Sequence, residues 1–564
     1  MEVSTMEEKR ELKGWVIPTA VILAIVIIFG AGFGVYKLFN TDKTPDATVP
    51  SQSQLESTTP KPDSGDNNVT TKPTEGKQPN DGTQPPESKV VIKGYVNTYS
   101  GYTSLFAANG GNTTKPGSNF DKAGLDVDIS IEDNDDNIIR AFQNGEIQFF
   151  AMTVNKMALV SKQLEDNGIQ TVMPFFLDTS TGGDGIITDA SVKNIADLKD
   201  VAISMAKNSV STAIPVWFLN ESGLSEEEIE TVVNNFDIYN TTQEAVDAFL
   251  SGKVDAVSTW NISGALERAN SHVLVSTASA EYLVIDGIVF NKKFADEHRD
   301  EILAMMDAIL TTVNDINNGV NLQGYYDSIR QAVPDFADYS NEDMTNEISY
   351  AKFLGFNGNV GALDVANHIY TDFCQVWSQL GYKTNPDYKL IDGSYIVSLA
   401  SKWDGKESDT DSSFSDNAQE YIDREALITQ YAKILFNGDE ATFKTGYEEI
   451  NKELIDEFIK VAKILNKTII KISGHVNLGE GSTVWDEATQ SYKIAPGFKS
   501  SESSYILSYM RAETVKEYMV SQGIDEKRII IEGLGGDAPI DTSDTEEGRA
   551  NNRSCEISFY QAGY

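Results

Sequence analysis

Cysteine and histidine are scarce, with 2 Cys and 4 His in 564 residues. Cys374 and Cys555 stand far apart and in different prospective domains, so neither a disulfide framework nor a metal cluster is built from them. His272, His298, His368 and His475 lack metal-ligand spacing, and no G-x-S-x-G, H-E-x-x-H or P-loop occurs. The chain therefore reads as no enzyme, and it implies no cofactor and no metal. Positive charge is short too: 45 Lys+Arg against 85 Asp+Glu leave a net charge of −40. Phosphates are repelled by such a surface, which excludes nucleic acid and anionic lipid as broad partners. The acidity suits a solvated extracytoplasmic protein. Apolar residues reach 40%, ordinary for globular protein, and the length asks for two or three domains.

Charge is missing altogether from Gly14 to Tyr36, a run rich in Ile, Val, Ala and Phe. It is long enough to cross a bilayer core as a helix. No A-x-A cleavage site and no Cys follows it, so it reads as an uncleaved anchor rather than a secretory or lipoprotein signal. Lys9, Arg10 and Lys13 precede it, which leaves residues 1–13 as a cytoplasmic tail and the bulk outside. Large apolar residues are then nearly absent from 37–88, where Pro, Thr, Ser, Asp, Asn and Gly dominate. Nothing there offsets the entropy of ordering, so the segment reads as a disordered stalk spanning roughly 40 Å r.m.s. as a coil.

From Val90 the composition turns globular. Strands at Val90–Tyr95, Val127–Ile131 and Ile147–Ala151 alternate with helical stretches, and a second series starts near Gly185 with Val201–Ser204, Phe236–Tyr239 and Val254–Val257. Strands alternating with helices imply parallel pairing and an α/β layer architecture. Several phrases here resemble the nitrate/sulfonate/taurine-type substrate-binding proteins of ABC transporters. They are Val192-Lys193-Asn194-Ile195-Ala196-Asp197-Leu198-Lys199, Ala245 to Ala256 followed by Trp260, Gly101-Tyr102-Thr103-Ser104-Leu105, Trp377 to Gly381, and Ile391 to Tyr395. The resemblance covers about Lys89 to Trp403 and implies a two-lobed type II periplasmic-binding-protein fold over residues 89–403. Such a binder takes its contacts from loops at the carboxyl ends of strands. The candidates are Ser100, Gly101, Tyr102, Thr103, Thr153 and Asn155 on the first lobe, and Ser209, Ser211, Thr212, Thr259, Trp260 and Asn261 on the second. A helix start would hold an anionic head group such as an oxyanion or sulfonate, with Lys207 the best-placed cation. Asp286, beside Gly287 after a strand Tyr282–Ile285, would instead meet a cationic or amine group. Each candidate has a plainer role: the hydroxyls as N-caps, Tyr102 and Trp260 as packing aromatics, Asp286 as a turn residue.

Residues 404–424 are acidic and polar and read as a hinge. Beyond it come Ala432–Phe436, a helix Glu448–Leu465 with apolar residues at helical spacing, a strand Thr468–Ile472, and Ser473-Gly474-His475. A long insertion, a helix carrying Leu507-Ser508-Tyr509-Met510-Arg511-Ala512, a strand Arg528–Ile531 and Gly548 to Arg553 complete the chain. This order and these phrases resemble the α+β OmpA-like peptidoglycan-binding domain, here residues 425–564. The resemblance implies that Arg511 grips the carboxylate of a zwitterionic stem amino acid, with Arg553 in support; the plainer role of Arg511 is a solvated helix residue beside Glu513 or Glu517. A guanidinium–carboxylate fork suits that task. The family's Asp is replaced by Asn477, which lacks the charge for an ammonium, and Glu480, Asp486 or Glu487 in the insertion could substitute for it. Membrane, stalk, solute binder and wall binder in that order describe an extracytoplasmic solute-binding protein fixed to membrane and peptidoglycan, with an ABC permease or sensor as partner. The alternative is a structural envelope linker whose lobes bind protein. A motor-stator role fits less well, because Gly14–Tyr36 holds no ionisable residue.

Overall fold

The chain passes twice between two sheets. The computed structural model describes residues 90–406, 421–422, 424–437, 440–477, 483–486, 491–494, 502–543 and 545–562. The expected anchor at 14–36, the stalk at 37–88, nearly all of the 404–424 hinge, and Glu480 and Glu487 lie outside them. Among the described residues no helix is long and apolar enough to cross a membrane.

Four strands come first: β1 (Val91–Val96), β2 (Asp126–Ile131), β3 (Phe149–Thr153) and β4 (Thr171–Ser180). Residues 181–184 lead to β5 (Gly185–Asp189), β6 (Ile203–Ala206), β7 (Asp237–Tyr239), β8 (Ala256–Thr259) and β9 (Ser271–Ser276). Residues 277–284 return to β10 (Ile285–Asn291) and β11 (Ala351–Phe353). The first sheet has the order β11-β4-β10-β3-β1-β2 and the second β7-β6-β8-β5-β9. In both, the strands fed by helices pair in parallel, β1 with β2 and β3, β6 with β7 and β8. The crossing strands β4, β10 and β5 run antiparallel to their neighbours. Helices cover the faces, notably Val154–Asp166, Val210–Asn220, Arg299–Asn317 and Phe356–Gln379.

Strand β4 is absent from the sequence reading. All ten of its residues are buried, so it shows no alternation, and Pro174 interrupts its apolar run. The expected strand Tyr282–Ile285 is displaced: Tyr282 to Val284 belong to the return segment, and Asp286 and Gly287 lie inside β10 rather than in a turn. Gly287 is demanded by packing, since a Cβ there would sit 2.6 Å from Met173 Sδ and 2.8 Å from the Phe175 carbonyl.

The last sheet contains β12 (Ile428–Ala432), β13 (Thr468–Gly474), β16 (Ile529–Gly533) and β17 (Cys555–Gln561) in the order β12-β17-β13-β16, with β14 (Thr483–Asp486) and β15 (Ser491–Ile494) as a separate antiparallel pair in the insertion. β13 and β16 are parallel and joined through the helix Glu502–Ser521. That helix lies directly on the strand ends: a Cβ on Gly474 would fall 1.9 Å from the Ser508 carbonyl, and one on Gly533 2.4 Å from the Tyr505 carbonyl.

This sheet is seated against the rest. Ile195 N–H donates to the Leu427 carbonyl at 3.3 Å, Gln430 Nε2 to the Glu221 carbonyl at 2.5 Å, and Gln561 Nε2 to the Leu274 carbonyl at 2.7 Å. In the return segment, buried Glu281 pairs with Lys352 at 2.6 Å and Lys467 at 3.5 Å and accepts from Asn466 Nδ2 at 3.1 Å. Leu427, Ile428 and Ala432 join the same apolar cluster as Val192, Ile195 and Leu274. Gly474→Ala should push the helix Glu502–Ser521 off its strands and destabilise by roughly 1–3 kcal/mol. A thermal melt unchanged from the parent would contradict that close approach.

Candidate functional site

At the end of the first sheet, three strands present polar side chains in one row. The antiparallel register sets Asp286 opposite Thr153 on β3 and opposite Asp178 on β4. The residues following β1 close over this row. Tyr99 Oη donates to Asp178 Oδ1 at 3.2 Å, and Tyr102 Oη donates to Asp286 Oδ1 at 2.5 Å. The two tyrosine rings meet edge to face at 5.3 Å. Gly101 lies so near that a Cβ would fall 2.3 Å from Asp178 Oδ2, so only glycine lets the backbone pass. Ser180 Oγ donates to Asp184 Oδ2 at 2.8 Å at the start of the first crossing.

The electrostatics are one-sided. Burial, and then the charge of Asp286, hold the Asp178 carboxyl well above the usual carboxylate range. Burial lifts Asp286 to about 7 and Asp184 to about 6. Burial also raises both phenols, with Asp178 next in effect on Tyr99 and Asp286 on Tyr102. Among the described residues, none of the three carboxylates has a Lys, Arg or His within ion-pair distance, and Asp178 Oδ2 is buried with no hydrogen-bond partner.

The remaining candidates divide. Thr103 Oγ1 donates to the Ser100 carbonyl at 2.5 Å, and Thr153 Oγ1 caps the helix Val154–Asp166 by accepting from Lys156 N–H at 3.0 Å. Asn155 is spent on structure, giving Nδ2 to the Leu283 carbonyl at 2.8 Å and its own carbonyl to Trp377 Nε1 at 2.9 Å. On the second sheet, Ser209 and Thr212 form a reciprocal capping box at the start of Val210–Asn220, and Thr259 Oγ1 accepts from Asn261 N–H at 2.9 Å. Ser211 is buried with its hydroxyl unpartnered, Lys207 is exposed, and Trp260 is 63% exposed. The register places Thr259 opposite Gly185, so Trp260 and Asp184 leave the second sheet together. Tyr382, beyond the helix Phe356–Gln379, donates to Asn208 before Ser209. The structure thus gathers Gly101, Tyr102, Thr153 and Asp286. It adds Tyr99, Asp178 and Asp184, which the sequence reading missed; an Asp ending a long apolar run was the available signal for Asp178. A cavity of about 430 Å³ lies elsewhere, beside Thr98, Asp128, Asp133 and Asp335. Among the described residues no group of His, Cys, Asp or Glu could hold a metal ion.

In the last sheet, Arg511 is turned inward and 1% exposed. Its Nε, Nη1 and Nη2 donate to the carbonyls of Glu440, His475 and Asn437 at 3.1, 3.1 and 3.2 Å, and its guanidinium lies 5.2 Å from the Phe436 ring centre. The guanidinium therefore ties Asn437 and Glu440 to the loop at 475–477. Asn477 is half-buried in the second of these loops. Arg553 stands 4.0 Å from Glu546 with 30% of its side chain exposed.

Two outcomes follow from these environments. The folded-state values of Asp184 and Asp286 lie above their ordinary 3.8, so their contribution to stability is complete below about pH 4 and lost as pH rises through 6–7. The groups facing them are Asp178 on β4, Tyr99 and Tyr102 after β1, and Asp135 near Tyr102. Asp286→Asn should flatten the fall in melting temperature between pH 5 and pH 8; a slope equal to the parent's would contradict the assignment. Arg511→Ala strands the carbonyl of buried His475, worth roughly 1–3 kcal/mol, and frees those of Asn437 and Glu440. It should lower the melting temperature, with Arg511→Lys recovering only part because Lys lacks the planar fork.

Residues 442–553 match the OmpA family, and residues 118–318 match the NMT1/THI5-like family. The chain is 34% identical over 133 residues to outer membrane protein A of Bordetella avium, which covers 23% of this chain and 57% of that protein. It is 44% identical over 53 residues to the probable lipoprotein YiaD of Escherichia coli (strain K12), 9% of this chain and 24% of that one. The chain thus spans 57% and 24% of the lengths of these curated relatives. Among solved structures, a putative periplasmic sulfonate-binding protein of a sulfonate ABC transporter from Methylobacillus flagellatus KT aligns over 58% of this chain and 99% of its own, at 16% identity and a TM-score of 0.43. One chain therefore carries an NMT1/THI5-like domain at 118–318 and an OmpA-family domain at 442–553.

Proposed function

We propose that the chain is an extracytoplasmic solute-binding protein of the ABC-transporter type that also engages peptidoglycan. Residues 89–403 would form the solute binder and 425–564 the wall binder, with 404–424 as hinge, 37–88 as stalk, 14–36 as membrane anchor and 1–13 as cytoplasmic tail. The observation that carries the solute half is the row Thr153, Asp286 and Asp178, with a buried acceptor left open on Asp178. A native fold rarely leaves such a group unpaired unless function uses it. The solute would lie between the row and the edge holding Asp184, Trp260 and Ser211, and pass to an ABC permease or a sensor.

The wall half rests on the OmpA-family match and on Asn477 lying in a loop that Arg511 holds. The alternative, an envelope linker whose lobes serve protein contacts, draws support from the seating of the last sheet against the second sheet and Glu281.

Thermal denaturation of the full chain against a library of sulfonates, oxyanions, amines and amino acids separates the two. A solute at 100 times its Kd should add about 2.7 kcal/mol of stability; no shift across the library favours the linker. Co-sedimentation with purified sacculi tests the wall half. The full chain should pellet with them, and Asn477→Asp should raise the bound fraction by restoring a carboxylate. Failure of both proteins to pellet would remove the wall function.

A further inference from the structure

We propose that the solute is a small amine that binds as its N–H-bearing ammonium at Asp178 and Asp286, beneath Tyr99 and Tyr102. This rests on the solute-binding reading above and names the chemical class at that site.

Charge is the first reason. Asp178 and Asp286 are 0% and 1% exposed, directly opposed on paired strands, with Asp184 beside them and no cation among the described residues in ion-pair contact with any of the three. A buried carboxylate pair is expensive unless protons or a positive charge compensate it. The chain supplies only phenolic hydroxyls, which satisfy one oxygen of each aspartate. Among the described residues, the site does not gather three or more His, Cys, Asp or Glu in an arrangement that would hold a metal ion.

The second reason is the open acceptor. Asp178 Oδ2 is fully buried and accepts no hydrogen bond, and Gly101 closes off the side where the chain could have supplied a donor side chain. A carboxylate oxygen is satisfied only by a donor. A quaternary ammonium has none, so it would balance the charge and leave Oδ2 unpaired. A primary or secondary ammonium does both. Tyr99 and Tyr102 would flank it with aromatic surface, a setting that favours a desolvated cation. An anion offered to the same row would face carboxylates and accept where a donor is required.

The test is isothermal titration of the full chain with butylamine, 1,4-diaminobutane, tetramethylammonium and methanesulfonate, repeated on Asp178→Asn and Asp286→Asn. Butylamine or the diamine should bind at least tenfold more tightly than tetramethylammonium, with no heat from methanesulfonate. Each Asn variant should lose at least tenfold in amine affinity. Its unliganded melting temperature at pH 8 should equal or exceed the parent's, because a like charge has been removed, and this separates lost recognition from misfolding. Binding of methanesulfonate but no amine would overturn the amine assignment and leave the solute-binding reading standing. Equal affinity for tetramethylammonium would overturn the role of the open acceptor, and binding of none would overturn the amine assignment, leaving the solute-binding reading to the library above.

Discussion

Two aspartates face each other across neighbouring strands in the interior, and much of the molecule is arranged around that fact. Like charges directly opposite on a sheet oppose strand pairing. Asp178 and Asp286 occupy such positions on β4 and β10, almost without solvent contact. Burial holds both carboxyls above the usual carboxylate range, and the burden of keeping them inside falls on the rest of the sheet. β4 answers with ten consecutive buried residues, and β10 contributes Ile288, Val289 and Phe290 to the apolar cores. Each aspartate takes a single phenol as donor. The strain of like charge is thus confined to one end of two strands that are otherwise held by burial along their length.

Those strands are also the ones through which the chain crosses. β4 ends where residues 181–184 leave for the second sheet, and β10 begins where residues 277–284 return from it. The row of polar side chains therefore sits at the roots of both connections. Thr277 ties them together: its hydroxyl accepts from Gly182 N–H at 2.9 Å and from Asp184 N–H at 3.2 Å, and lies 3.0 Å from Ser180 Oγ. A few residues on, Glu281 is held by Lys352 of β11 and by Asn466 and Lys467 just before β13. The same short segment that carries the chain back to the site is therefore gripped from the OmpA-family domain. Glu281 thus joins the return segment to both β11 and the β13 end of the last sheet. Its buried carboxylate cannot lose its partners cheaply.

How much of this was legible depended on whether local pattern and local chemistry agreed. Strands β13 and β16 were legible from their apolar runs within two residues at each end, and the helix between them from the phrase Leu507 to Ala512. β1, with Gly101 and Tyr102 after it, was equally visible. β4 was not, because a strand buried on both faces has no period, and so its terminal Asp178 went unseen. Asp286 was singled out, but in the wrong setting. Asp-Gly is a strong turn signal, yet here Gly287 is required inside a strand by Met173 and Phe175, contacts no local reading could supply. Thr103, Asn155, Thr153 and Thr212 show the converse: each fits a binding loop by type, and each has a hydrogen bond that shapes the backbone around the site.

The OmpA-family end handles buried charge in another way, and the contrast bears on its departure from the family pattern. Arg511 spends Nε, Nη1 and Nη2 on main-chain carbonyls from two separate loops, so its first effect is on shape. Val476 N–H in the second loop is fixed in turn by the Gly535 carbonyl at 2.9 Å, and His475 Nδ1 lies 2.9 Å from the Ala538 carbonyl. The backbone leading into Asn477 is therefore fixed through His475 and Val476. An amide at 477 carries no charge, so this position offers neutral hydrogen bonding where the family's carboxylate would attract an ammonium.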